Sequence, residues 1–239
     1  MHVFYQPDIQ EKRYLDEEES RHAVKVLRLG LGDSIRIIDG KGGLFDAEII
    51  DPDPRKCAIF IRSSNLDTTE KKYGIHLVIT PTKDLDRIEW MLEKCVEIGV
   101  DEVTFILTRR TDERYWKGKS IHPDRLEKIA VSAVKQSLKR YVPRVNGLMM
   151  WESFLQKDFT DSQLFIAHLE PTERRLLQIA AQPGATYVML IGPEGDFTSQ
   201  EIEQAKEKGF SPVSLGESRL RTETAGLVSV LTLQLMNQV

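Results

Sequence analysis

The stretch YVMLIGPEGDFTSQEIEQAKEK, residues 187–208, contains a strand, a loop and a helix in that order. The apolar run Tyr187–Leu190 predicts a buried strand. It leads into Gly192-Pro193-Glu194-Gly195, where two glycines around a proline favour a rigid turn whose backbone can approach a ligand closely. Thr198 and Glu201 have the spacing of a capping box, which predicts that a helix begins directly after the loop. The stretch is typical of an α/β domain.

The pattern of short apolar strands and amphipathic helices continues on both sides of this stretch, from residue 74 to residue 239. It predicts further strands at 75–80, 103–107, 164–168 and 212–215, and helices at 84–98, 123–140, about 171–181, about 198–208 and about 222–237. Gly99 has the position of a C-terminal cap and Pro123 that of a helix start. Strands that alternate with helices indicate a mainly parallel sheet.

Residues 1–70 have a different pattern, that of short strands at barrel spacing. Strands are predicted at 34–39, 44–50 and 56–62, with a glycine turn at 40–43 and a short helix with an acidic first turn at 16–28. The polar segment 63–73 has no apolar periodicity and is predicted to be a linker. The predicted domains are therefore a small β-rich domain, 1–70, and an α/β domain, 74–239.

Positive charge is concentrated in the middle of a chain whose net charge is −4. Between Arg109 and Val145 there are 11 Lys/Arg and 4 Asp/Glu. Such a local excess suits the phosphates of a nucleic acid. From charge alone, a solvated helix face is an equally good interpretation.

The two cysteines, Cys57 and Cys95, are far apart and belong to no CxxC pair, so we expect neither a zinc site nor a disulfide framework. The N-terminus, MHVFYQPDIQEKRYL, lacks the basic and apolar regions of a signal peptide. No segment approaches the roughly 18 consecutive apolar residues of a transmembrane helix. We therefore expect a cytoplasmic protein without a membrane segment or a metal site.

A second polar loop, SLGESRLRTETAG at 214–226, precedes the C-terminal helix. Thr222 or Thr224 could cap that helix, and Arg219 or Arg221 could hold an anion or pair with Glu223. A capped helix with surface ion pairs is the simpler interpretation of this loop. A plain strand-to-helix connection is likewise slightly favoured for the first loop, which lacks the Gly-Lys-Ser/Thr of a phosphate-binding loop. Both loops follow strands, where open α/β sheets bind ligands.

The two loops together resemble a known family. GPEGDFT at 192–198 and LGESRLRTETA at 215–225 are similar to the signature loops of SPOUT methyltransferases, specifically the ribosomal RNA small subunit methyltransferase E family. Segments 89–101, 135–137 and 142–143 agree with this family, and segments 22–33 and 39–43 resemble its PUA-like RNA-binding domain. The resemblance covers essentially the whole chain. The chain departs from the family at Asp196, where a second glycine is common, and at Ser218, where arginine is common and here stands at Arg219.

The resemblance implies a SPOUT-type α/β fold with a trefoil knot, preceded by a small PUA-like β-barrel domain. It implies a homodimer with the site at the subunit interface, and a C-terminal helix apolar enough for core or interface. It implies S-adenosylmethionine as the methyl donor. The implied donor contacts, largely through the main chain, are Leu190, Ile191, Gly192, Glu194, Gly195, Leu215, Gly216, Leu220 and Arg221.

The implied reaction is methylation of uridine N3 in small-subunit (16S) ribosomal RNA. Because N3 carries a proton, a base or a group that stabilises the uracil anion is needed. Arg221 is the candidate for charge stabilisation, and Glu223 is the candidate for positioning or proton transfer, with Glu194 as a weaker third choice. No metal ion is required.

The RNA would be bound by two sets of side chains. The candidates are Arg21, His22, Lys25, Arg28 and Lys41 in the front domain, and Arg109, Arg110, Arg114, Lys135, Gln136, Lys139 and Arg140 in the basic stretch. His22 could equally be a packed helix residue, and Gln136 a solvated one. The alternatives are a SPOUT enzyme acting on another RNA or on a ribose 2′-OH, a non-catalytic RNA-binding ribosome assembly factor, and a nucleotide-binding α/β enzyme.

Overall fold

The computed structural model describes residues 2–67, 71–111 and 121–238. The chain forms two compact units, one of residues 1–70 with 131–142 and the other of residues 71–130 with 143–239. The segment 131–142 thus clusters with the first unit, whereas the predicted division between 70 and 74 assigned it to the α/β domain.

The first unit contains a four-stranded sheet and a short helix. Its elements are β1 (Val3–Tyr5), α1 (Glu17–Arg21), a π-helical turn (His22–Val26), β2 (Ser34–Ile38), β3 (Gly43–Asp51) and β4 (Ala58–Leu66). The strand order is β1-β2-β3-β4, with β1 parallel to β2 and the other neighbours antiparallel. Phe4, Leu15, Ile35 and Ile37 are fully buried in its core.

Strand β4 is longer than the sequence predicts. Ser63 and Leu66 pair with Asp46 and Gly43 of β3, so the predicted linker 63–73 begins too early. The end of β4 is exposed, and a strand with so little buried surface has no apolar alternation to detect. The predicted helix 16–28 is also divided, because α1 ends at Arg21 and a π-helical turn follows.

The second unit contains a seven-stranded parallel sheet. Its strands are β5 (Gly74–Ile79), β6 (Glu102–Leu107), β7 (Arg144–Met150), β8 (Ser162–Ala167), β9 (Arg175–Leu176), β10 (Thr186–Ile191) and β11 (Ser211–Ser214). The helices of the α/β pattern are α2 (Leu85–Ile98), α3 (Pro123–Gln136), α4 (Trp151–Leu155), α5 (Leu177–Ala180), α6 (Ser199–Glu207) and α7 (Thr222–Met236). The strand order is β7-β6-β5-β10-β8-β11-β9. All neighbouring strands are parallel, as the alternation of strands and helices predicts.

Side chains of β5 point alternately to the two faces of this sheet. Val78 belongs to an aromatic core that includes Trp151, Phe154 and Phe197. On the opposite face, helix α7 lies so close that a Cβ at Gly226 would stand 2.9 Å from Ile79 Cδ1. Burial on both faces explains why the strands are continuously apolar.

Two predicted helices need correction. The helix predicted at 123–140 ends at Gln136, because Leu138 adopts a φ of +57° and Lys139 N donates to Val134 O at 3.1 Å. The helix predicted at 171–181 is reduced to Leu177–Ala180, since Arg175 and Leu176 pair with the edge of β11. Strand β7 and helix α4 were not predicted.

Within the described ranges, the helices lack the combination of length and apolar character that crossing a membrane requires.

Candidate active site

Three strands of the second unit end side by side. Ala167, at the end of β8, pairs with Ile191 of β10 on one side and with Val213 of β11 on the other. The segments that follow these strands, 168–170, 192–197 and 215–221, therefore leave the sheet together at the carboxyl ends of the strands. Ligands bind at these ends in open α/β sheets.

A cavity of about 500 Å³ lies between these segments, within the size range of small-molecule sites. Its walls are Arg87, Ala167, His168, Leu169, Arg174, Ile191, Gly192, Pro193, Glu194, Asp196, Val213, Ser214, Leu215, Gly216, Ser218, Arg219, Leu220, Arg221, Thr222 and Ala225. The two loops that the sequence selects thus meet in space, and a third segment, after β8, joins them.

The first loop is closed by contacts within itself. Asp196 N donates to Pro193 O at 2.9 Å, which makes a tight turn. A Cβ at Gly192 would stand 2.9 Å from Phe197 Cδ2, so only glycine fits beside this buried ring. Asp196 has a φ of +65°, and its carboxylate accepts from Phe197 N at 2.8 Å and from Leu169 N at 2.7 Å.

The predicted capping box follows the loop and is confirmed. Glu201 N donates to Thr198 Oγ1 at 3.2 Å, and Thr198 N donates to Glu201 Oε2 at 2.8 Å. The other oxygen of Glu201 accepts from Arg109 N at 2.8 Å. Helix α6 is therefore fixed both to the loop and to the chain after β6.

The second loop is joined to the first by a hydroxyl group. Thr222 Oγ1 donates to Gly192 O at 3.2 Å. The prediction that Thr222 or Thr224 caps α7 is wrong, because the N-cap residue is Arg221 and it makes no side-chain cap bond. Gly216, with a φ of +128°, provides the turn between β11 and the arginines.

The arginines around the cavity differ in whether they form ion pairs. In the part of the chain that the structure describes, the exposed guanidinium groups of Arg219 and Arg221 have no hydrogen-bond or ion-pair partner. Glu223 is buried and pairs with Arg87 at 3.1 Å, so its predicted pairing with Arg219 or Arg221 is wrong. Arg87 lies in the first turn of α2, 136 residues away in the chain, and no local pattern indicates it.

Most of the predicted donor-binding residues line the cavity. They are Ile191, Gly192, Glu194, Leu215, Gly216, Leu220 and Arg221. Leu190 is instead packed in the aromatic core, and Gly195 O accepts from Arg110 Nη1 at 2.7 Å. Neither of these two, nor Glu223, lines the cavity. The residues of the cavity wall that lie outside both predicted loops, and that sequence reasoning missed, are Arg87, Ala167, His168, Leu169, Arg174 and Val213.

The predicted RNA-binding side chains fall into two groups. The first group belongs to the first unit: Arg140 is partly exposed, and the exposed members are Arg21, His22, Lys25, Arg28, Lys41 and Gln136. Gly42 N donates to Arg140 O at 3.1 Å, which places the backbone of the 131–142 segment beside the glycine turn. Lys135 Nζ forms an ion pair with Glu19 Oε1 at 2.5 Å. Burial raises the pKa of the Glu19 carboxyl, and the ion pair with Lys135 opposes this shift.

Arg109 and Arg110 belong to the second unit and make contacts within it. Arg109 Nη1 donates to Gln200 Oε1 at 2.5 Å, and Arg110 Nη1 donates to the carbonyls of Gly195 and Phe197. These two arginines brace the first loop and α6, which reduces their availability to phosphates. The predicted candidate Arg114 lies outside the described residues.

Comparison with known proteins agrees with this architecture along the whole chain. The family model of the RNA methyltransferase domain matches residues 69–234, and that of the RNA methyltransferase PUA domain matches residues 15–62. A crystal structure described as a probable rRNA-methyltransferase from Porphyromonas gingivalis is 39% identical, covers 100% of this chain and 99% of that chain, and superposes with a TM-score of 0.91.

Two further relatives carry a more specific name. The structure of a ribosomal RNA small subunit methyltransferase E from Neisseria gonorrhoeae, bound to S-adenosyl methionine, is 29% identical over 99% of this chain and 98% of that chain, with a TM-score of 0.85. A ribosomal RNA small subunit methyltransferase E 2 from Borreliella burgdorferi is 30% identical over 220 residues, which are 90% of this chain and 87% of that protein. The predicted fold class, a SPOUT-type α/β domain with a PUA-like N-terminal domain, is confirmed. The chain therefore belongs to the RNA methyltransferase family and, within it, to the ribosomal RNA small subunit methyltransferase E proteins.

Proposed function

We propose that this protein transfers the methyl group of S-adenosylmethionine to N3 of a uridine in small-subunit (16S) ribosomal RNA, in the cytoplasm. The observation that carries the proposal is the cavity at the ends of β8, β10 and β11, which is built from both signature loops. A relative of the same family holds S-adenosyl methionine, and the names of the relatives specify the small ribosomal subunit. The sequence pattern supports no nucleotide-binding alternative, since the first loop lacks a phosphate-binding lysine.

The residues around the cavity fit the donor that the proposal requires. The cavity is large enough for a molecule of this size, and Gly192 and Gly216 bring main-chain groups to its surface without side chains in front of them. Arg219 and Arg221 at its rim, which have no partner among the described residues, can attract the donor's carboxylate or the RNA. When bound, S-adenosylmethionine supplies an electrophilic methyl carbon. The loops contribute by orienting the two reactants, which can be worth several orders of magnitude in rate.

Three charged side chains in or beside the cavity are assigned different roles in the removal of the uracil N3 proton. Arg221, exposed and without a partner among the described residues, is placed to stabilise negative charge on the base. Glu223 is buried against Arg87, which favours a positioning role over direct proton transfer. Glu194 lines the cavity with an exposed carboxylate and is therefore the better placed of the two to accept a proton.

The first unit would bind RNA through phosphate contacts. Arg21, Lys25, Arg28 and Lys41 are exposed there, and such contacts give an affinity that falls steeply with salt. The domains at 1–70 and 74–239 would thus divide RNA binding from methyl transfer. We further propose a homodimer, because Leu231 and Leu235 of α7 are 42% and 54% exposed.

The proposal is tested by incubating the purified protein with labelled S-adenosylmethionine and small ribosomal subunits from cells that lack this modification. The RNA is then digested to nucleosides. Label in 3-methyluridine is expected. Label in another base or in a ribose would show that the protein is a methyltransferase with a different acceptor atom. No label together with no donor binding would support the assembly-factor alternative and contradict the proposal.

The role of Arg221 is tested by its substitution, with Arg219 as a matched neighbour. Arg221→Ala is expected to lower the methylation rate about 100-fold, as the loss of one preorganised charge-stabilising group does. Arg219→Ala, which removes another exposed arginine two residues away, is expected to have a smaller effect. An Arg221→Ala protein with full rate and full donor affinity would refute the assignment.

A further inference from the structure

The peptide group between His168 and Leu169 is part of the cavity wall and is held by two charged side chains. Arg174 Nη1 donates to its carbonyl, His168 O, and its amide, Leu169 N, donates to Asp196 Oδ2 at 2.7 Å. All four residues line the cavity. Because β8 ends at Ala167, this peptide group lies outside the strand ladder, and the two side chains determine its orientation.

Asp196 makes this contact from an unusual backbone conformation. Its φ is +65°, in the left-handed region that favours glycine, and its N–H donates to Pro193 O at 2.9 Å across the turn of the first loop. Glycine would satisfy this turn but would offer no carboxylate. Strain of this kind persists where other contacts compensate for it. Here those contacts are the hydrogen bonds of the carboxylate.

The carboxylate of Asp196 joins two segments of the chain. Oδ1 accepts from Phe197 N at 2.8 Å within the first loop, while Oδ2 accepts from Leu169, 27 residues earlier. A further bond nearby, from Ser199 Oγ to Glu170 Oε1, joins exposed side chains and not main-chain atoms. Hydrogen bonds from main-chain N–H groups to a carboxylate are roughly twice as strong as neutral ones. Asp196 therefore fixes the main chain after β8 against the first loop.

We propose that Asp196 is a positioning residue for methyl transfer, which holds the wall of the cavity after β8 at a fixed distance from the first loop. It acts through this wall and takes no part in proton transfer, because its two oxygens already accept main-chain N–H groups. Reactants between the two walls then keep their alignment, and a displacement of about 1 Å can cost roughly 100-fold in rate. The inference rests on the proposed function, since the walls are those of the proposed methyltransferase site.

Two substitutions separate the carboxylate from the backbone conformation. Asp196→Gly suits a φ of +65° and removes both hydrogen bonds, whereas Asp196→Asn keeps one side-chain oxygen as an acceptor. Asp161→Gly is the matched control. Asp161 also has a positive φ, +62°, and directly precedes β8 at its opposite end, and in the described part of the chain its exposed carboxylate has no hydrogen-bond partner.

The first measurement is the rate of methyl transfer from labelled S-adenosylmethionine to small ribosomal subunits from cells that lack this modification, with both reactants saturating. We expect kcat to be about tenfold lower for Asp196→Gly, with a smaller decrease for Asp196→Asn and the wild-type kcat for Asp161→Gly. KM for the ribosomal subunits is expected to be unchanged in all three variants, because none of them alters the exposed cations of the first unit.

The second measurement is hydrogen–deuterium exchange, followed by mass spectrometry of the protein without ligands. Loss of the bond to Asp196 is expected to speed exchange in the peptide that contains Leu169 in Asp196→Gly, and not in Asp161→Gly. Unchanged exchange in the core strands would show that the release is local and that the protein stays folded. If Asp196→Gly does not fold, Asp196→Asn gives the same two readouts with a smaller expected effect.

A folded Asp196→Gly protein with the wild-type kcat would overturn the inference, and so would a lower kcat with unchanged exchange at Leu169. Equal losses in Asp196→Gly and Asp161→Gly would assign the effect to the glycine and not to the missing carboxylate, and would overturn it as well. A wild type that transfers no methyl group would contradict the proposed function itself, and this inference with it.

Discussion

Among single residues, His76 gives this protein a predicted sensitivity to acid. Burial lowers its pKa to about 4, with Glu102 opposing the shift and Lys157 and Arg144 reinforcing it. The unfolded chain takes up a proton near pH 6.5, whereas the folded protein does so only near pH 4. Stability is therefore complete above pH 6.5 and decreases as the pH falls to about 4, by up to about 3 kcal/mol.

This decrease is measured by urea denaturation of the wild type and of His76→Gln between pH 7 and pH 4.5. Because glutamine does not titrate, the variant is expected to lose less stability than the wild type over this interval. Parallel curves for the two proteins would show that His76 is not the group responsible.

The pair formed by Arg87 and Glu223 is a second residue-level prediction. Glu223 has a side chain that is 10% exposed, whereas that of Arg87 is 41% exposed, so removing Arg87 leaves a nearly buried carboxylate without its cation. Arg87→Ala is expected to lower the free energy of unfolding by about 1 kcal/mol, discounted for the exposure of the arginine. Arg125→Ala, which breaks a surface pair with Glu89, is the control and should change little. Equal losses in the two variants would contradict the special role of the buried carboxylate.

At the level of helices and strands, the capping box at the start of α6 allows a prediction about stability. Thr198→Ala removes one half of the capping box and is expected to cost about 1 kcal/mol of stability. Thr198→Ser keeps the hydroxyl and should retain most of it. Thermal unfolding of both variants checks this, and an equal melting temperature for the alanine and serine proteins would show that the hydroxyl does not hold the helix.

The elements predicted correctly are those encoded by local patterns. Helix α2 is bounded by Asp84, whose carboxylate accepts from Asp86 N, and by Gly99, and both signals can be read from neighbouring residues. Strand β7 was missed because Asn146 and Gly147 interrupt its apolar run, and its register with β6 is irregular at this point. The edge strand β9 could not be predicted either, because its two residues are extended only by pairing with β11.

For the molecule as a whole, the exposed apolar side chains of α7 predict self-association. Leu235→Glu places a charge at the proposed interface and is expected to shift the protein from dimer to monomer in sedimentation experiments. Leu138→Glu, at a leucine that is 67% exposed in the first unit, is the control and should leave the association state unchanged. A monomeric wild type, or a dimer that tolerates both substitutions, would contradict the proposed homodimer.

Only part of the site could be predicted without knowledge of the strand order. The loops at 192–198 and 215–225 stand out by composition and by resemblance, and the structure brings them together through Thr222 and Gly192. His168 and Arg87 reach the cavity because β8 lies between β10 and β11 and because α2 begins near α7. This adjacency depends on the strand order of the whole sheet, which no local sequence pattern indicates. The trefoil knot stays a prediction of the resemblance for the same reason.

The most direct test of the donor site compares two glycines of the first loop. A Cβ at Gly192 would stand 2.9 Å from Phe197 Cδ2, whereas one at Gly195 would lie in ordinary contact with the Arg110 side chain, 3.6 Å from its Cδ and 3.8 Å from its Cβ. Calorimetric titration with S-adenosylmethionine is predicted to show one saturable site per chain in the wild type and in Gly195→Ala, and greatly weakened binding in a folded Gly192→Ala protein. Equal affinities for all three proteins would contradict the claim that this cavity binds the methyl donor.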